Sequence, residues 1–227
     1  MRQIATTFDR VVVINLARRR QRLEQFDARL DNWPFLPPKR FEAVDGSTVS
    51  IPPEWQHGPG AWGCMLSHRQ VMADALRDGV SSILVLEDDA VPGEDFSRRA
   101  ADFLAHVPDD WDCLMLGGHH LSPPKSIATG ILQCTLTNRA HAYAVRGRMM
   151  PVLLQFLLAS NVDHCDIILA ALMPHFKTYA PDPFLIGQDA GFSDITLTTE
   201  RLRFLSPIRN PVPKTVTVYP VSQPAAV

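Results

Sequence analysis

Short apolar runs alternate with amphipathic segments through the first half of the chain. Residues 11–16 are mostly β-branched and residues 83–86 are wholly apolar. Strands covered on both faces lose the alternation of period two, so both runs predict buried strands. Weaker strands are predicted at residues 41–44, 113–116 and 140–145, and residues 47–60, rich in Pro, Gly and Ser, are predicted as a loop.

Helical spacing of apolar residues falls between these strands. In residues 18–30, Leu23, Phe26 and Leu30 share one face of a helix. Further helices are predicted at residues 63–76, 96–106, 149–159 and 166–173. Alternating strands and helices predict an α/β domain with a mostly parallel sheet flanked by helices.

Composition and charge narrow the class of protein. The 227 residues suit one domain, and the net charge of −2 gives no overall attraction to nucleic acid. The four cysteines are widely spaced, which predicts reduced, buried thiols and not a disulfide framework. The N-terminus lacks an apolar signal core and no apolar stretch is long enough to span a bilayer. We therefore expect a cytoplasmic protein with at most peripheral membrane contact.

Three consecutive acids follow the apolar strand at residues 83–86. Ligands of open α/β sheets gather at the carboxyl ends of strands, and Glu87, Asp88 and Asp89 lie at such an end. Side chains alternate along an extended segment, so Glu87 and Asp89 are predicted on one side and Asp88 on the other. Two carboxylates on one side can bind Mn²⁺ or Mg²⁺. The alternative is a solvated acidic turn.

Basic residues follow the first strand, at the same edge of the predicted sheet. Arg18 and Arg22, within a run that also holds Arg19 and Arg20, could clamp a diphosphate, or else cover a solvated helix face. Asp45 with Gly46 ends another strand, where the carboxylate could hold a ribose hydroxyl, or the pair could simply form a tight turn.

The order of these segments resembles glycosyltransferase family 25. The matching blocks are Val13-Ile14-Asn15-Leu16 with Arg18 and Arg22, Ala43-Val44-Asp45-Gly46, Gly60-Ala61-Trp62-Gly63-Cys64-Met65-Leu66-Ser67-His68, and Leu84-Val85-Leu86-Glu87-Asp88-Asp89-Ala90. Weaker matches are His141-Ala142-Tyr143, Val162-Asp163, and Gln188 with Ser193-Asp194-Ile195. The resemblance implies a GT-A-like fold and a UDP-sugar donor. It divides residues 1–206 into a donor-binding half, to about residue 120, and a smaller acceptor-binding half. The proline-rich residues 207–227 are predicted to be extended or disordered.

Roles for individual residues follow from this resemblance. Asp89 is expected to bind the metal directly and Glu87 to contact the metal or the ribose, while Gln188, Asp189 or water supplies a third ligand. Asp163 is the expected general base, with Asp166 in reserve. The alternative for Asp163 is a helix N-cap. Donor-site assignments are Asn15, Arg18, Arg22, Asp45, Gly46 and Asp88.

The predicted function is that of a metal-dependent, inverting glycosyltransferase. It would move a hexose, with galactose favoured, from a UDP-sugar to a glycan or peptide hydroxyl, as in lipopolysaccharide biosynthesis. Two other classes fit less well, namely a catalytically silent sugar-nucleotide-binding or partner-binding domain and a metal-dependent phosphoesterase. His119 and His120 could line the donor site or form a surface pair, and His68 is expected in the interior.

Overall fold

A computed structural model describes residues 4–192 and 199–200 of the chain. Within these residues, eight strands form one sheet, and five α-helices cover it. The strands are β1 (Arg10–Asn15), β2 (Lys39–Glu42), β3 (Ser82–Glu87), β4 (Cys113–Met115), β5 (Lys125–Ala128), β6 (Ile131–Gln133), β7 (Ala142–Arg146) and β8 (Thr178–Pro181). The helices are α1 (Arg20–Asp27), α2 (Gly58–Arg77), α3 (Phe96–His106), α4 (Met149–Ala159) and α5 (Cys165–Leu172).

The sheet has the order β2-β1-β3-β7-β4-β8-β6-β5. Strands β6 and β7 run against the other six, so only the β1–β2, β1–β3 and β4–β8 pairings are parallel. Six of the eight strands therefore point the same way, as predicted for a mostly parallel sheet. Most neighbouring pairs are nevertheless antiparallel, because β7 lies between β3 and β4 and β6 lies between β8 and β5. Strands from both sides of residue 120 share this sheet.

The two faces of the sheet carry two separate apolar cores. Side chains alternate along β3, so Ile83 and Val85 join the core that contains α2, α4 and α5. Leu84 and Leu86 join the core that contains Phe26 of α1 and Phe103 of α3. The predicted α/β class, with helices flanking a large sheet, is confirmed.

The predicted elements agree best with the structure where the apolar pattern is longest. Helices α3 and α4 have the predicted bounds. Strand β1 begins and ends one residue earlier than predicted, and β3 is one residue longer at each end. Helix α2 begins at Gly58, five residues before the predicted start, because the loop Pro59 stands in its first turn. The predicted first helix is divided into a 3₁₀ turn at Ala17–Arg19 followed by α1.

The second half contains more strand than the sequence predicts. Strands β5, β6 and β8 were not predicted, because each has four residues or fewer and no alternating pattern. Short two-stranded pairings join Ala90–Pro92 to Ile186–Gln188, His119–His120 to Thr137–Asn138, and Gly191–Phe192 to Thr199–Glu200. Further 3₁₀ turns lie at Ile4–Thr6, Gly46–Thr48 and Met173–His175.

The sequence also predicts that no segment spans a membrane and that the C-terminal tail is extended or disordered. Across residues 4–192 and 199–200, no helix combines the length and the apolarity needed to cross a membrane. The proline-rich residues 207–227, and the Ser193-Asp194-Ile195 block of the family resemblance, lie outside the described residues.

Candidate donor and metal site

Two neighbouring strand ends meet through a buried amide and a buried carboxylate. Asn15 ends β1, and its Nδ2 donates to Asp88 Oδ2 at 2.7 Å and to the carbonyl oxygen of Arg19 at 3.0 Å. Arg40 Nε donates to Asn15 Oδ1 at 3.1 Å. These contacts fix the Asn15 side chain, since each of its polar atoms has a partner. Asn15 and Asp88, both assigned to the donor site from the sequence, are therefore in direct contact.

Arg22 joins two of the three acids. The Arg22 Nη2 atom lies 2.8 Å from Asp88 Oδ1 and 3.4 Å from Asp89 Oδ2. Helix α1 carries Arg22 across the carboxyl end of the sheet, which places a guanidinium group beside the acids, as predicted for a diphosphate-binding residue. We call Asn15, Arg22, Asp88, Asp89 and Gln188 the donor cluster.

The Asp89 carboxylate is only partly satisfied. Gln188 Nε2 donates to Asp89 Oδ2 at 3.3 Å, because the Gln188 backbone pairs with Ala90 in a two-stranded ladder. Among the described residues, Asp89 Oδ1 and Gln188 Oε1 are buried without a hydrogen-bond partner. Burial and the charge of Glu87 raise the pKa of Asp89 to about 7, against the opposing effect of Arg22. A cation at these oxygens would relieve both defects.

Glu87 has different partners, on the other face of the sheet. Its Oε1 lies 3.3 Å from His68 Nε2 and 3.9 Å from Cys64 Sγ, both on α2. Burial alone would raise the pKa of Glu87, but the hydrogen bond from His68 holds it below its usual value. His68 is buried, as expected, and its Nδ1 lies 3.0 Å from the Tyr143 hydroxyl.

The predicted grouping of the acids needs a correction. Glu87 and Asp88 do face opposite sides, but Asp89 meets Asp88 at Arg22 and does not point away from it. Strand β3 ends at Glu87, and the next two residues form a turn, so strand alternation stops there. All three carboxylates remain electrostatic neighbours, since Glu87 and Asp88 both raise the pKa of Asp89.

Asp45 and Gly46 form a tight junction beside β2. Asp45 Oδ1 accepts from the Ser47 hydroxyl at 2.7 Å and from the Ser47 amide at 3.1 Å, and its Oδ2 pairs with Arg18. These contacts, the Ser47 hydroxyl first, lower the pKa of Asp45. A Cβ on Gly46 would stand 1.7 Å from the Pro59 carbonyl oxygen, and one on Gly63 would stand 2.6 Å from the Gly46 nitrogen. The two glycines therefore allow α2 to approach this loop. Asp45 both makes the turn and remains half-buried near Arg18, so both interpretations from the sequence survive.

The two candidate bases are held differently. Asp166 lies in the first turn of α5, and its Oδ2 accepts from the Arg139 amide at 3.1 Å. Asp163 precedes the helix by two residues, and its amide donates to Ser160 Oγ at 3.1 Å. The N-cap of α5 is His164, so the N-cap interpretation of Asp163 is wrong. The chain leaves α4 in an extended conformation, and α5 starts one residue later than a cap at Asp163 requires.

The histidine pair lies in a short two-stranded ladder that is separate from the eight-stranded sheet. His119 and His120 form a short ladder with Thr137 and Asn138, and His120 Nδ1 bonds Thr137 Oγ1 at 2.8 Å. Burial lowers the pKa of His120 to about 4. The surface-pair alternative is wrong for His120, because it is buried and packs on the ring of Phe184, and the donor-site alternative stays a prediction.

Comparison with known proteins identifies the family. The family model described as "Glycosyltransferase family 25 (LPS biosynthesis protein)" matches residues 8–123, just over half of the chain. The chain belongs to glycosyltransferase family 25. The matched segment contains Asn15, the arginines of α1, Asp45 and the acid triplet, so the family resemblance found in the sequence is confirmed.

Curated relatives include proteins with contrasting names. The chain is 30% identical to "Procollagen galactosyltransferase 1" of Danio rerio over 143 residues, which is 53% of this chain and 24% of that protein. It is 29% identical to "Inactive glycosyltransferase 25 family member 3" of Homo sapiens over 164 residues, 61% of this chain and 27% of that protein. The chain thus spans about a quarter of the length of the curated relatives it matches.

Solved structures give weaker similarities. "Crystal Structure of A197 from STIV" aligns with a TM-score of 0.41 at 11% identity, over 88% of this chain and 98% of that one. A glycosyltransferase involved in glycosylation of the major capsid of PBCV-1 aligns with a TM-score of 0.35 at 9% identity, over 65% and 66%. Similarities this low say nothing about chemistry.

Proposed function

We propose that this member of family 25 moves a hexose from a UDP-sugar to a glycan or peptide hydroxyl, with inversion and with a divalent cation. The observation that carries the proposal is a pair of buried oxygens, on Asp89 and Gln188, that have no hydrogen-bond partner in the described part of the chain; Asp89 also lies beside the Arg22 guanidinium. Galactose is the favoured hexose, because a relative is named as a galactosyltransferase. The family's description as an LPS biosynthesis protein favours a glycan acceptor.

The donor cluster suits a hard cation. Asp89 Oδ1 and Gln188 Oε1 are oxygen donors of the kind that Mn²⁺ and Mg²⁺ prefer. Asp89 is the proposed direct ligand and Gln188 the third ligand that the sequence left open, whereas the Asp189 carboxylate pairs with Arg29. Glu87 stays a predicted second ligand. When bound, the cation supplies stabilisation of the negative charge that grows on the departing nucleoside diphosphate.

The other donor-site residues act on the rest of UDP. Arg22 lies within 3.4 Å of Asp89, so a diphosphate held near Asp89 is within reach of its guanidinium. Asn15 holds Asp88 in place and thereby keeps Arg22 oriented. Asp45 is the proposed partner of a ribose hydroxyl, with Arg18 and the close packing at Gly46 fixing its position.

Asp163 is the proposed base that takes the proton of the acceptor hydroxyl. Asp163 lies two residues before α5, whose N-cap is His164, whereas the Asp166 carboxylate accepts a hydrogen bond from the Arg139 amide. Cys165, two residues later, lies 3.9 Å from Cys64, which in turn lies 3.9 Å from Glu87. The loop that carries Asp163 is therefore linked to Glu87 through Cys165 and Cys64, and Val162 beside Asp163 is exposed.

A second candidate function is a silent UDP-sugar-binding domain. The observation that favours it is the name of several relatives, which are called inactive. A silent domain would keep donor binding and lose turnover, so the two candidates differ in a single measurement.

Differential scanning fluorimetry with UDP, Mn²⁺ and both together tests the donor site. We expect the pair to raise Tm more than the sum of the separate ligands, since binding to the folded state contributes about 2.7 kcal/mol at a hundredfold excess over Kd. No added effect of the pair would contradict the proposal. Hydrolysis of UDP-galactose, UDP-glucose and UDP-N-acetylhexosamines then separates an enzyme from a silent domain.

A further inference from the structure

Four potential metal ligands, one of them Glu87 of the acid triplet, lie close together on the α2 face of the sheet. Cys64 Sγ lies 3.9 Å from Cys165 Sγ and 3.9 Å from Glu87 Oε1, and His68 Nε2 lies 3.3 Å from the same oxygen. Ligand atoms of Cys64, His68 and Cys165 all lie within 4.8 Å of one another. We call these four residues the thiol cluster.

Three of the six separations between the four donor atoms are close to those around a tetrahedral zinc ion. With Zn–S near 2.3 Å and Zn–N and Zn–O near 2.1 Å, tetrahedral angles require about 3.8 Å between two sulfurs and about 3.4 Å between nitrogen and oxygen. A sulfur and an oxygen should then be about 3.6 Å apart. The three observed distances, 3.9, 3.3 and 3.9 Å, differ from these values by about 0.3 Å or less.

The elements of the fold bring the four donors together. Cys64 and His68 are one turn apart on α2, so they share a face of the helix. Cys165 begins α5, and Glu87 ends β3. The ligands thus come from three elements that are far apart in sequence, so the cluster exists only in the folded protein.

His68 is oriented as a metal-binding imidazole would be. Tyr143 holds its Nδ1 at 3.0 Å, which directs Nε2 towards Glu87. Outer partners of this kind fix the ring and its tautomer in metal sites. Both His68 and Tyr143 are buried, and Cys64 is half-buried, so the cluster is shielded but not sealed.

We propose that the reduced protein binds Zn²⁺ through Cys64, His68, Cys165 and Glu87. Two thiolates and an imidazole select zinc over the hard cations suited to the donor cluster. The ion would tie α2 and α5 to the end of β3 and hold Glu87 against the donor cluster. This proposal does not depend on glycosyl transfer.

Two simpler arrangements compete with the zinc site. A disulfide needs the two sulfurs at about 2.05 Å, far closer than the 3.9 Å between Cys64 and Cys165. A plain hydrogen-bonded cluster would keep the same contacts without any affinity for metal. Metal binding that depends on both thiols separates these cases.

Cobalt(II) is the probe, because cysteine thiolates give it a near-ultraviolet charge-transfer band that carboxylates do not give. Chelator-treated, reduced full-length protein is titrated with Co²⁺ and then with Zn²⁺. We expect one equivalent of cobalt with thiolate absorption, displaced by zinc. Cys64→Ser and Cys165→Ser should lose the band. The buried cysteine variants Cys113→Ser and Cys134→Ser should keep it, as should Asp89→Asn in the donor cluster.

The outcomes that overturn the proposal are equally specific. A wild-type protein without the band, or a band that survives both Cys64→Ser and Cys165→Ser, removes the zinc site. If a serine variant does not fold, alkylation of the wild type decides, since bound zinc must slow labelling of Cys64. Labelling at an unchanged rate overturns the site. Loss of UDP binding in Asp89→Asn with the cobalt band intact would show that the two sites are independent.

Discussion

The two sides of the β3 end are chemically unlike although they arise from adjacent residues. The donor cluster, on the α1 side, gathers oxygens and a guanidinium, and Asp89 Oδ1 has no hydrogen-bond partner within residues 4–192 and 199–200. The thiol cluster, on the α2 side, gathers sulfur and imidazole around Glu87. One run of three acids therefore faces two different sets of neighbours, because the strand ends at Glu87 and the turn that follows directs Asp88 and Asp89 to the other side.

The difference teaches how a short motif acquires two roles. Glu87 alone would be an ordinary buried carboxylate, and its proximity to His68 lowers its pKa, whereas the pKa of Asp89 is raised. Burial and the charge of Glu87 raise the pKa of Asp89 against the effect of Arg22, whereas burial at Glu87 is outweighed by opposing effects, the hydrogen bond from His68 of α2 first among them.

The largest expected effect separates Asp89 from Glu87. Asp89→Asn should weaken Mn²⁺-dependent UDP binding by at least about a hundredfold. Loss of a residue that only supports a metal ligand already costs about 10- to 100-fold, and Asp89 is the proposed direct ligand. Glu87→Gln is the matched variant and should cost less, because its carboxylate contacts α2. Calorimetry with UDP and Mn²⁺ measures both. Equal losses would erase the difference between the two sides, and wild-type affinity in Asp89→Asn would remove the metal assignment.

The next effect concerns the acceptor side. Asp163→Asn should lower transfer about a hundredfold or more, because an amide cannot take the hydroxyl proton. The melting temperature should change little, since Asn has nearly the size and shape of Asp and still accepts hydrogen bonds through its side-chain oxygen. Asp166→Ala is the control. It should lower the free energy of unfolding by about 1–3 kcal/mol, because the Arg139 amide loses its acceptor. Unaltered transfer in Asp163→Asn would exclude it as the base.

The sequence predicts the framework better than the contacts. Apolar runs identify β1, β3, α3 and α4, because fully buried elements need long apolar stretches. The position of the acids at a strand end is equally readable. Strand β7, reversed between β3 and β4, could not be predicted, since pairing direction depends on distant segments and not on local pattern.

The site shows the same division. Arg22 is predicted from its place after β1 and Asn15 from the family resemblance, but the position of Gln188 beside Asp89 depends on pairing with Ala90, almost a hundred residues earlier. The thiol cluster was missed because Cys165 is remote in sequence. The one-turn spacing of Cys64 and His68 was the available signal.

The smallest expected effect is a pH dependence of stability that arises where the two sides interact. In the metal-free protein the pKa of Asp89 is about 7, against a usual 3.8, partly because Glu87 repels its charge. The folded state therefore holds a proton that the unfolded chain releases, so stability falls as pH rises from about 4 to about 7 and then levels off.

Asp89→Asn cannot titrate, and its Tm relative to wild type should increase between about pH 5 and about pH 8. Asp45→Asn is the control of opposite sign, because the pKa of Asp45 is lowered and any change falls below that range. Glu87→Gln should shrink the slope, since removing its charge lowers the pKa of Asp89. Melting curves with a chelator measure all four proteins, and a difference between Asp89→Asn and wild type that is constant with pH would show that Asp89 is not held protonated by its neighbours.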